Sequence, residues 1–396
     1  MKFLSTLLAI LLTFTGCSAA VPDPVETTIQ HNPETTAATE TTIAASETTI
    51  ETQPETTEAP DPMEQLLQDM TTEEKVGQLF LARCPETNAE SDISTYHLGG
   101  YILFGRDFGN QTPDTLRQTL EAYQDAASIP LLIAVDEEGG TVCRVSSNRA
   151  FRSSRFPSPR DAYADGGLER IQELENEKSS LLHSLGINVN MAPVCDITTD
   201  SQAFMYKRSL GQSPEITGQF VQDTIAIMES HQIGCVLKHF PGYGNNTDTH
   251  TGIAVDERSL FELESADLVP FSAGIESGCD AILVSHTMAQ CLDTEYPASL
   301  SPAVHRYLRA EMAFDGVIVT DDLVMDAITE QYGAGEAAVL AVLAGNDLLC
   351  STEYATQYNA VLAAVNDGRI PVETLDAAVL RILHWKESLN LFSESQ

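Results

Sequence analysis

The sequence predicts an α/β protein whose folded part is a single (β/α)8 barrel. Eight short runs rich in Val, Ile and Leu alternate with longer amphipathic stretches from residue 63 onward. This alternation is typical of parallel strands that are covered by helices. Polar and charged residues follow five of the runs, at the strand ends where such a barrel places its active site. Eight such units in about 330 residues favour a closed barrel over an open doubly wound sheet.

The predicted strands are four to six residues long and share an apolar composition: Val76–Leu81, Gly100–Phe104, Leu131–Val135, Asn188–Pro193, Cys235–Lys238, Ala281–Ser285, Val317–Thr320 and Asp347–Cys350. The predicted helices between them include Thr112–Ala127, Gly167–Leu185, Pro214–His231, Leu260–Ser277 and Met325–Ala344. Only helical sequence, through Val372–Leu389, follows the eighth strand. We therefore expect no second sizeable domain, and we assign residues 63–396 to the barrel.

The first 16 residues have the features of a signal peptide. A basic start is followed by an apolar run over 3–14, which is too short for a membrane span of about 20 residues. The small residue before Cys17 resembles a bacterial lipoprotein cleavage box, so Cys17 is predicted to be the lipid-bearing first residue of the mature chain. The protein is then expected outside the cytoplasm, held to the bacterial membrane only by its lipid. Plain secretion is the alternative.

Residues 17–62 are predicted to form a disordered linker. Glu-Thr-Thr recurs there, for example at 26–28 and 47–49, several prolines interrupt the stretch, and no Lys or Arg occurs between residues 21 and 62. Such a segment has too little apolar surface to offset the entropy of an ordered chain. We expect it to act as a spacer without chemistry of its own.

Charge and cysteine content exclude several classes of function. The net charge is −37, from 58 Asp and Glu against 21 Lys and Arg, which disfavours binding to nucleic acid or to anionic lipid headgroups. The seven cysteines after Cys17 are scattered and contain no Cys-x-x-Cys. Buried free thiols are therefore expected in place of a zinc site, with room for one disulfide in an oxidising compartment.

The densest cluster of reactive residues begins at the end of the fifth predicted strand. Lys238-His239-Phe240-Pro241-Gly242-Tyr243-Gly244 is followed by Asp248-Thr249-His250. Asp248 and His250 are two residues apart, so both side chains point the same way in an extended loop. A carboxylate bonded to one imidazole nitrogen fixes the tautomer and leaves the other nitrogen to exchange a proton. An isolated Asp-x-His is usually an ordinary polar loop, but the preceding Lys-His-Phe-Pro-Gly favours catalysis.

Two further strand ends carry candidate site residues. The seventh predicted strand delivers Asp321 at its tip, as expected of a nucleophile or a metal ligand, while Asp322 is expected to support it or to cap the helix near Val324. Asp136 and Arg144 flank a Gly-Gly turn after the third strand and offer an acceptor and a donor for sugar hydroxyls. No Gly-Lys-Ser/Thr follows that turn, which disfavours a phosphate-binding loop.

Together these motifs resemble glycoside hydrolase family 3, and more narrowly its bacterial β-N-acetylglucosaminidases. The resemblance covers about residues 63 to 390 in order and rests on Asp136-x-Glu-Gly-Gly-x-Val-x-Arg144, Arg208-Ser-x-Gly, Lys238-His-Phe-Pro-Gly with Asp248-Thr-His250, and Thr320-Asp-Asp-Leu. The Asp-Ser/Thr-His loop separates this branch from the β-glucosidases, which usually take a Glu acid from a second domain. Tyr243 departs from the pattern, because the family commonly has His there.

The resemblance implies a role for each matching residue and a (β/α)8 fold. Asp321 would be the nucleophile, His250 the general acid/base and Asp248 its dyad partner. The residues that would hold the non-reducing N-acetylglucosamine are Asp136, Arg144, Arg208, Lys238 and His239. The implied reaction is a retaining hydrolysis of terminal N-acetylglucosamine through a covalent glycosyl-enzyme, with neither metal nor other cofactor.

Other readings of the same residues stay open. A phosphorylase would pass N-acetylglucosamine to phosphate, which a neutral imidazole base tolerates, and a β-glucosidase-type specificity would accept another sugar. A metal-dependent barrel hydrolase would use His239, His250, His286 and Asp321 as ligands. A glycan-binding lipoprotein with a dead site would lack an acid or a nucleophile, and both candidates are present. Peptidoglycan fragments and other glycans both suit such an enzyme.

Overall fold

The computed structural model describes residues 61–244 and 254–393, and it confirms the parallel barrel. Eight strands form it, here named β1 to β8: Phe80–Arg83, Gly100–Leu103, Leu132–Val135, Val189–Asn190, Gly234–Phe240, Ala281–Val284, Val317–Thr320 and Leu349–Ser351. They lie in the order β7-β6-β5-β4-β3-β2-β1-β8, and every neighbouring pair is parallel. A bridge between Val319 and Leu348 joins the two outer strands and closes the barrel.

Helices cover the outside of the barrel, here named α1 to α13: Pro62–Asp69, Thr72–Gln78, Ala89–Tyr96, Pro113–Asp125, Pro159–Ser184, Pro214–Ser230, Leu260–Ser265, Leu268–Glu276, Pro302–Arg306, Asp326–Tyr332, Ala334–Ala344, Tyr354–Asn366 and Val372–Ser388. Two short strand pairs lie in the loops. One is antiparallel and joins Glu137–Gly139 to Val142–Cys143, and the other is parallel and joins Val255–Asp256 to Met288–Ala289. No helix in the described ranges has both the length and the apolar character that a membrane span requires.

The first predicted strand is wrong in its first half. Val76 lies in α2, and the strand begins only at Phe80. Thr71 starts this helix with a capping box, in which its hydroxyl accepts the Glu74 backbone N–H and the Glu74 carboxylate accepts the Thr71 N–H at 2.8 Å. A short apolar run does not separate a buried strand from a buried helix end, so the local cap decides.

The fourth strand is shorter than the predicted Asn188–Pro193 because side chains replace part of its backbone ladder. Asn188 Oδ1 accepts the Ile133 N–H at 2.7 Å, and Asn190 Oδ1 accepts the Glu137 N–H at 2.9 Å. Pro193 has no N–H to donate, and beyond it the pairing with β5 is an isolated bridge between Val194 and Lys238. The two asparagines thus fasten β4 to β3 and to the loop that follows β3.

Three predicted helices differ from the observed ones at positions where the backbone turns. The predicted Leu260–Ser277 is two helices, α7 and α8, and the predicted Met325–Ala344 is broken between α10 and α11 at Gly333, whose φ is +72°. The predicted Gly167–Leu185 begins earlier, at Pro159, with the Ser158 hydroxyl as its cap and a kink at Gly166 and Gly167. A glycine at positive φ explains the break at Gly333 and the kink at Gly167.

The cysteines behave as small apolar residues. All seven in the described ranges are free, and six of them are buried. Burial raises the pKa of the Cys195 and Cys350 thiols well above their usual value, so they are poor nucleophiles. The signal peptide, Cys17 and nearly all of the predicted linker at 17–62 lie outside the described residues.

Candidate active site

A cavity of about 770 Å³ opens where the strands end. Its lining includes residues at or next to the ends of β1, β3, β7 and β8, and one residue within the last part of β5: Arg83, Asp136, Asp321, Thr352 and Lys238. The carboxyl ends of parallel barrel strands meet at one rim, so residues far apart in sequence share one wall. The structure therefore brings the predicted site residues Asp136, Lys238 and Asp321 into a single cleft.

Lys238 joins two carboxylates at the floor of this cleft. Its Nζ lies 2.7 Å from Asp136 Oδ1 and 2.7 Å from Glu138 Oε1, and its side chain is 3% exposed. Burial alone would lower the pKa of Lys238, but the two carboxylates outweigh it and raise this pKa. Burial would raise the pKa of Glu138, but Arg208 and Lys238 outweigh it and hold that pKa below its usual value. The lysine is therefore a fixed cation with N–H groups directed by its partners.

Arg208 extends this network to His239. Its guanidinium binds Glu138 through Nη2–Oε1 at 2.6 Å and Nε–Oε2 at 2.9 Å, and Nη2 lies 3.1 Å from His239 Nε2. Because a guanidinium only donates, His239 Nε2 must accept, and the ring hydrogen is on Nδ1. His239 Nδ1 then donates to Asp196 Oδ2 at 2.7 Å. The tautomer of His239 is thus set from both sides.

The loop after β3 positions Asp136 and Arg144. The Glu137 carboxylate accepts the backbone N–H groups of Arg144 at 2.8 Å and Val145 at 2.7 Å, which folds the hairpin back toward the barrel. Gly139 has φ +109°, and a Cβ there would lie 2.2 Å from the Pro157 carbonyl oxygen. Arg144 Nη2 reaches Asp136 Oδ2 at 3.4 Å. The Gly-Gly turn is therefore a packing requirement that lets this arginine approach Asp136.

The two adjacent aspartates after β7 have different tasks. Asp322 accepts from the Thr352 hydroxyl at 2.6 Å and from the backbone N–H groups of Thr352 and Val324 at 3.2 Å. Asp321 lines the cleft, and its Oδ1 accepts only from the Asp322 N–H, at 2.9 Å, among the contacts described. Asp322 is a support, as expected, but it caps no helix, because α10 begins at Asp326. Asp321 therefore has fewer protein partners than Asp322 among the contacts described.

The histidines in the described ranges do not present a metal site in the cleft. His286 Nε2 lies 3.0 Å from the Asp322 backbone carbonyl, to which it can only donate, and its Nδ1 is 2.7 Å from the Ser299 hydroxyl. Both ring nitrogens of His239 are likewise engaged by Arg208 and Asp196. Two of the four ligands proposed for a metal-dependent hydrolase, His239 and His286, therefore already contact protein partners through both ring nitrogens.

Comparison with known proteins decides the family. The model of the glycosyl hydrolase family 3 N-terminal domain matches residues 71–385, which is most of the chain. The chain belongs to glycosyl hydrolase family 3. This confirms the resemblance drawn from the motifs.

Named relatives match over most of the chain. The beta-hexosaminidase LpqI of Mycobacterium tuberculosis is 29% identical over 329 residues, 80% of this chain and 83% of that protein. A beta-hexosaminidase of Nitrosomonas eutropha is 30% identical over 315 residues, 74% of this chain and 88% of that protein. The structure of a family 3 beta-N-acetylglucosaminidase from Paenibacillus sp. str. FPU-7 is 32% identical with a TM-score of 0.76, and the match covers 83% of this chain and 64% of that longer protein.

Two predicted catalytic residues of this family 3 chain, Asp248 and His250, lie outside the described residues, in the segment 245–253. The described residues on both sides of that segment are anchored. Tyr243 lines the cleft, and its backbone N–H donates to Asp196 Oδ1 at 2.8 Å, while the Ala254 carbonyl accepts the Met288 N–H at 2.8 Å. The roles of Asp248 and His250 stay predictions.

The sequence motifs assigned no role to Glu138 or Asp196. Glu138 binds both Lys238 and Arg208, and Asp196 orients His239 and the backbone of Tyr243. Both are buried acidic residues that closely follow barrel strands. That position was a usable signal, because a carboxylate buried at the rim of a barrel needs a cationic or N–H partner there.

Proposed function

We propose that this family 3 enzyme is a retaining exo-β-N-acetylglucosaminidase that removes the non-reducing terminal N-acetylglucosamine from glycans. The observation that carries the proposal is the meeting of the Asp321 carboxylate with the Lys238–Glu138–Arg208–His239 network in one cleft. The β-hexosaminidase names of its relatives support the sugar specificity.

The network supplies a rigid sugar-binding site. Asp136 offers acceptor atoms, while Lys238 and Arg208 offer donors that are already held by buried carboxylates. Hydrogen bonds that involve charged groups contribute about 1.5–3 kcal/mol each, so a few such contacts hold the hydroxyls of one pyranose ring. Because these donors are oriented before the sugar binds, little ordering is left to oppose binding.

The chemistry is a double displacement. In the first step a carboxylate oxygen of Asp321 attacks the anomeric carbon while His250 protonates the departing glycosidic oxygen, which leaves a glycosyl ester. In the second step neutral His250 takes a proton from water, the hydroxide displaces Asp321, and the free sugar leaves with its original configuration. An uncharged imidazole does not repel the Asp321 carboxylate, and the Asp248 carboxylate stabilises the imidazolium that forms.

Release of nitrophenol from 4-nitrophenyl N-acetylglucosaminide and from the matching glucoside tests this function. We expect hydrolysis of the first and little of the second, with N-acetylglucosamine as the product both with and without phosphate. N-acetylglucosamine 1-phosphate in phosphate buffer would establish the phosphorylase instead, and preference for the glucoside would establish a glucosidase. A loss of activity in EDTA that zinc restores would favour the metal-dependent alternative.

We further propose that the enzyme acts outside the cytoplasm as a lipoprotein anchored through Cys17 to the bacterial membrane. The basic, apolar and small-residue order of residues 1–17 supports export and lipid attachment. Residues 18–62 then serve as a spacer between the lipid and the barrel. Peptidoglycan fragments are a substrate that such a location brings within reach, and a role in peptidoglycan turnover follows from it.

A further inference from the structure

His286 is a buried histidine that contacts the backbone beside Asp321. It lies two residues beyond the end of β6 and is fully buried. Its Nε2 is 3.0 Å from the carbonyl oxygen of Asp322. A carbonyl oxygen only accepts, so Nε2 carries a ring hydrogen and donates it. The imidazole therefore fixes the direction of the Asp322 carbonyl.

The ring of His286 is itself held on its other side. Its Nδ1 lies 2.7 Å from the hydroxyl of Ser299, which donates to it when the ring is neutral. Ser299 is fully buried, and its backbone N–H donates to the Ser285 carbonyl at 3.0 Å. The Ser299 carbonyl accepts from Asn346 Nδ2 at 2.8 Å. Contacts at both ring nitrogens leave the imidazole one orientation.

Asp322 passes this restraint on to the proposed nucleophile. The Thr352 hydroxyl, just beyond β8, holds the Asp322 carboxylate at 2.6 Å, while His286 holds the carbonyl of the same residue. With both groups fixed, the Asp322 backbone N–H donates to Asp321 Oδ1 at 2.9 Å. The Asp321 N–H donates to the Val284 carbonyl at 3.1 Å, so β6 and the residues after it restrain the backbone on both sides of the Asp321 carboxylate.

We propose that His286 is a positioning residue that orients the Asp321 carboxylate for attack on the anomeric carbon, acting through the Asp322 backbone. This inference rests on the proposed function and adds a residue that the reaction depends on without contact to the sugar. A nucleophile must lie on the line of attack, and a displacement of about 1 Å can slow a reaction about 10²-fold. Without the His286 donor the Asp322 carbonyl is free to turn toward another donor, and the N–H that holds Asp321 moves with it.

Replacement of His286 by Gln and by Met separates the donor from the bulk of the side chain. Gln keeps an N–H donor at a similar distance from the backbone, whereas Met has a similar size and no donor. We expect His286→Met to lower kcat/KM on 4-nitrophenyl N-acetylglucosaminide by about 10- to 100-fold. The inhibition constant of free N-acetylglucosamine should change by less than about twofold, because the residues proposed to hold the sugar are not altered. His286→Gln should recover most of the lost kcat/KM.

His305→Met is the matched control. His305 is also buried, and its Nδ1 lies 2.8 Å from a backbone carbonyl, that of Ser301 at the start of α9. It is not among the residues found to line the cleft, so its loss should lower the thermal unfolding midpoint as His286→Met does and leave kcat/KM unchanged. A loss of kcat/KM that His305→Met shares, that His286→Gln does not reduce, or that comes with an equal rise in the inhibition constant would overturn the proposal.

Crystal structures of the wild type and of His286→Met give a readout that needs no turnover. We expect the Asp321 carboxylate to turn and its distance from the Asp322 N–H to exceed about 3.5 Å in the variant. An unchanged carboxylate would refute the role of His286 whichever glycoside the enzyme accepts. Absence of hydrolysis by the wild-type protein would instead refute the proposed function, and the two crystal structures would still decide the role of His286.

Discussion

Glu138 and Asp196 determine the geometry of the proposed sugar site, although neither was predicted to bind substrate. Glu138 is 1% exposed in its side chain and holds Lys238 and Arg208 together, and Asp196 sets the ring of His239. Lys238, Arg208 and His239 could be predicted from their motifs, because those motifs follow strands that end at one rim. Which carboxylate each of these three residues contacts could not be predicted, because the carboxylate partners lie between 43 and 102 residues away in the sequence.

At the residue scale, Asp321→Asn should abolish turnover while the protein still folds. Asn keeps the size of the side chain but cannot form the glycosyl ester, so kcat should fall by several orders of magnitude. Rates on the nitrophenyl substrate and the thermal unfolding midpoint are measured together. The matched control is Asp322→Asn, which alters the neighbouring support without removing the nucleophile. Substantial activity in pure Asp321→Asn protein would exclude this residue as the nucleophile.

His250→Ala should slow the hydrolysis of each substrate in proportion to how much its leaving group needs protonation. Nitrophenol departs readily without an acid, so the first step should slow far less for the aryl substrate than for a disaccharide, for which general acid catalysis supplies about 10²- to 10⁴-fold. The second step then lacks its base, so a burst of nitrophenol should appear, and azide should accelerate turnover and give a β-glycosyl azide.

Asp248→Ala should show the same pattern more weakly, because Asp248 orients the ring and does not carry the proton. If His250→Ala lost both kinds of substrate equally, with neither burst nor azide rescue, His250 would be a binding or structural residue.

At the scale of elements, α13 closes the fold against the strands and carries an unusual buried lysine. Trp385 packs against Gly234 at the start of β5, where an added Cβ would lie 2.9 Å from the indole nitrogen. The neighbouring Lys386 is fully buried, and its Nζ donates to Gln78 Oε1 of α2 at 2.6 Å. Burial lowers the pKa of Lys386 from its usual value to about 7. Helix α13 was predicted from the sequence pattern, but the hydrogen bond of the buried Lys386 amine depends on Gln78 of α2.

Lys386→Met should therefore change the pH dependence of stability. In the unfolded chain the Lys386 amine stays protonated up to about pH 10.5, but in the folded protein it stays protonated only up to about pH 7. Burial of this amine therefore lowers the free energy of unfolding by its full amount below pH 7. The cost declines as the pH rises to 10.5, by about 1.4 kcal/mol per pH unit. We expect the variant to gain free energy of unfolding relative to wild type at pH 6, and the gain to shrink at pH 8 and again at pH 9.5.

Urea unfolding at the three pH values measures this difference. Lys75→Met is the control for the loss of one lysine, because the Lys75 amine pairs with Asp376 at 2.8 Å. If the difference between wild type and Lys386→Met did not vary with pH, or varied as much in Lys75→Met, the buried amine would not be the cause.

At the scale of the whole molecule, catalysis and attachment to the membrane are expected to depend on different parts of the chain. The residues found to line the cleft lie between Arg83 and Thr352, so a protein that begins at Ala59 should keep the kcat/KM of the full chain. When expressed in a bacterium that processes lipoproteins, the full chain should partition into the detergent phase of a cloud-point extraction, and Cys17→Ala should move it to the aqueous phase.

Two results would count against this division. Loss of kcat/KM in the shortened protein would assign a catalytic contribution to residues 1–58. Detergent partitioning that persists in Cys17→Ala would remove Cys17 as the site of lipid attachment.

The barrel, and the rim where the candidate site lies, could be predicted from the amino-acid sequence. Apolar periodicity is a local property, and parallel strands connected by helices must place their carboxyl ends together, so Asp136, Lys238 and Asp321 could be predicted to meet. Only the folded structure shows the break between α7 and α8, the pairing of Glu138 with two cations, and the burial of Lys386. These depend on contacts between residues distant in sequence, whose energies are set by burial and by the partners that packing brings within reach.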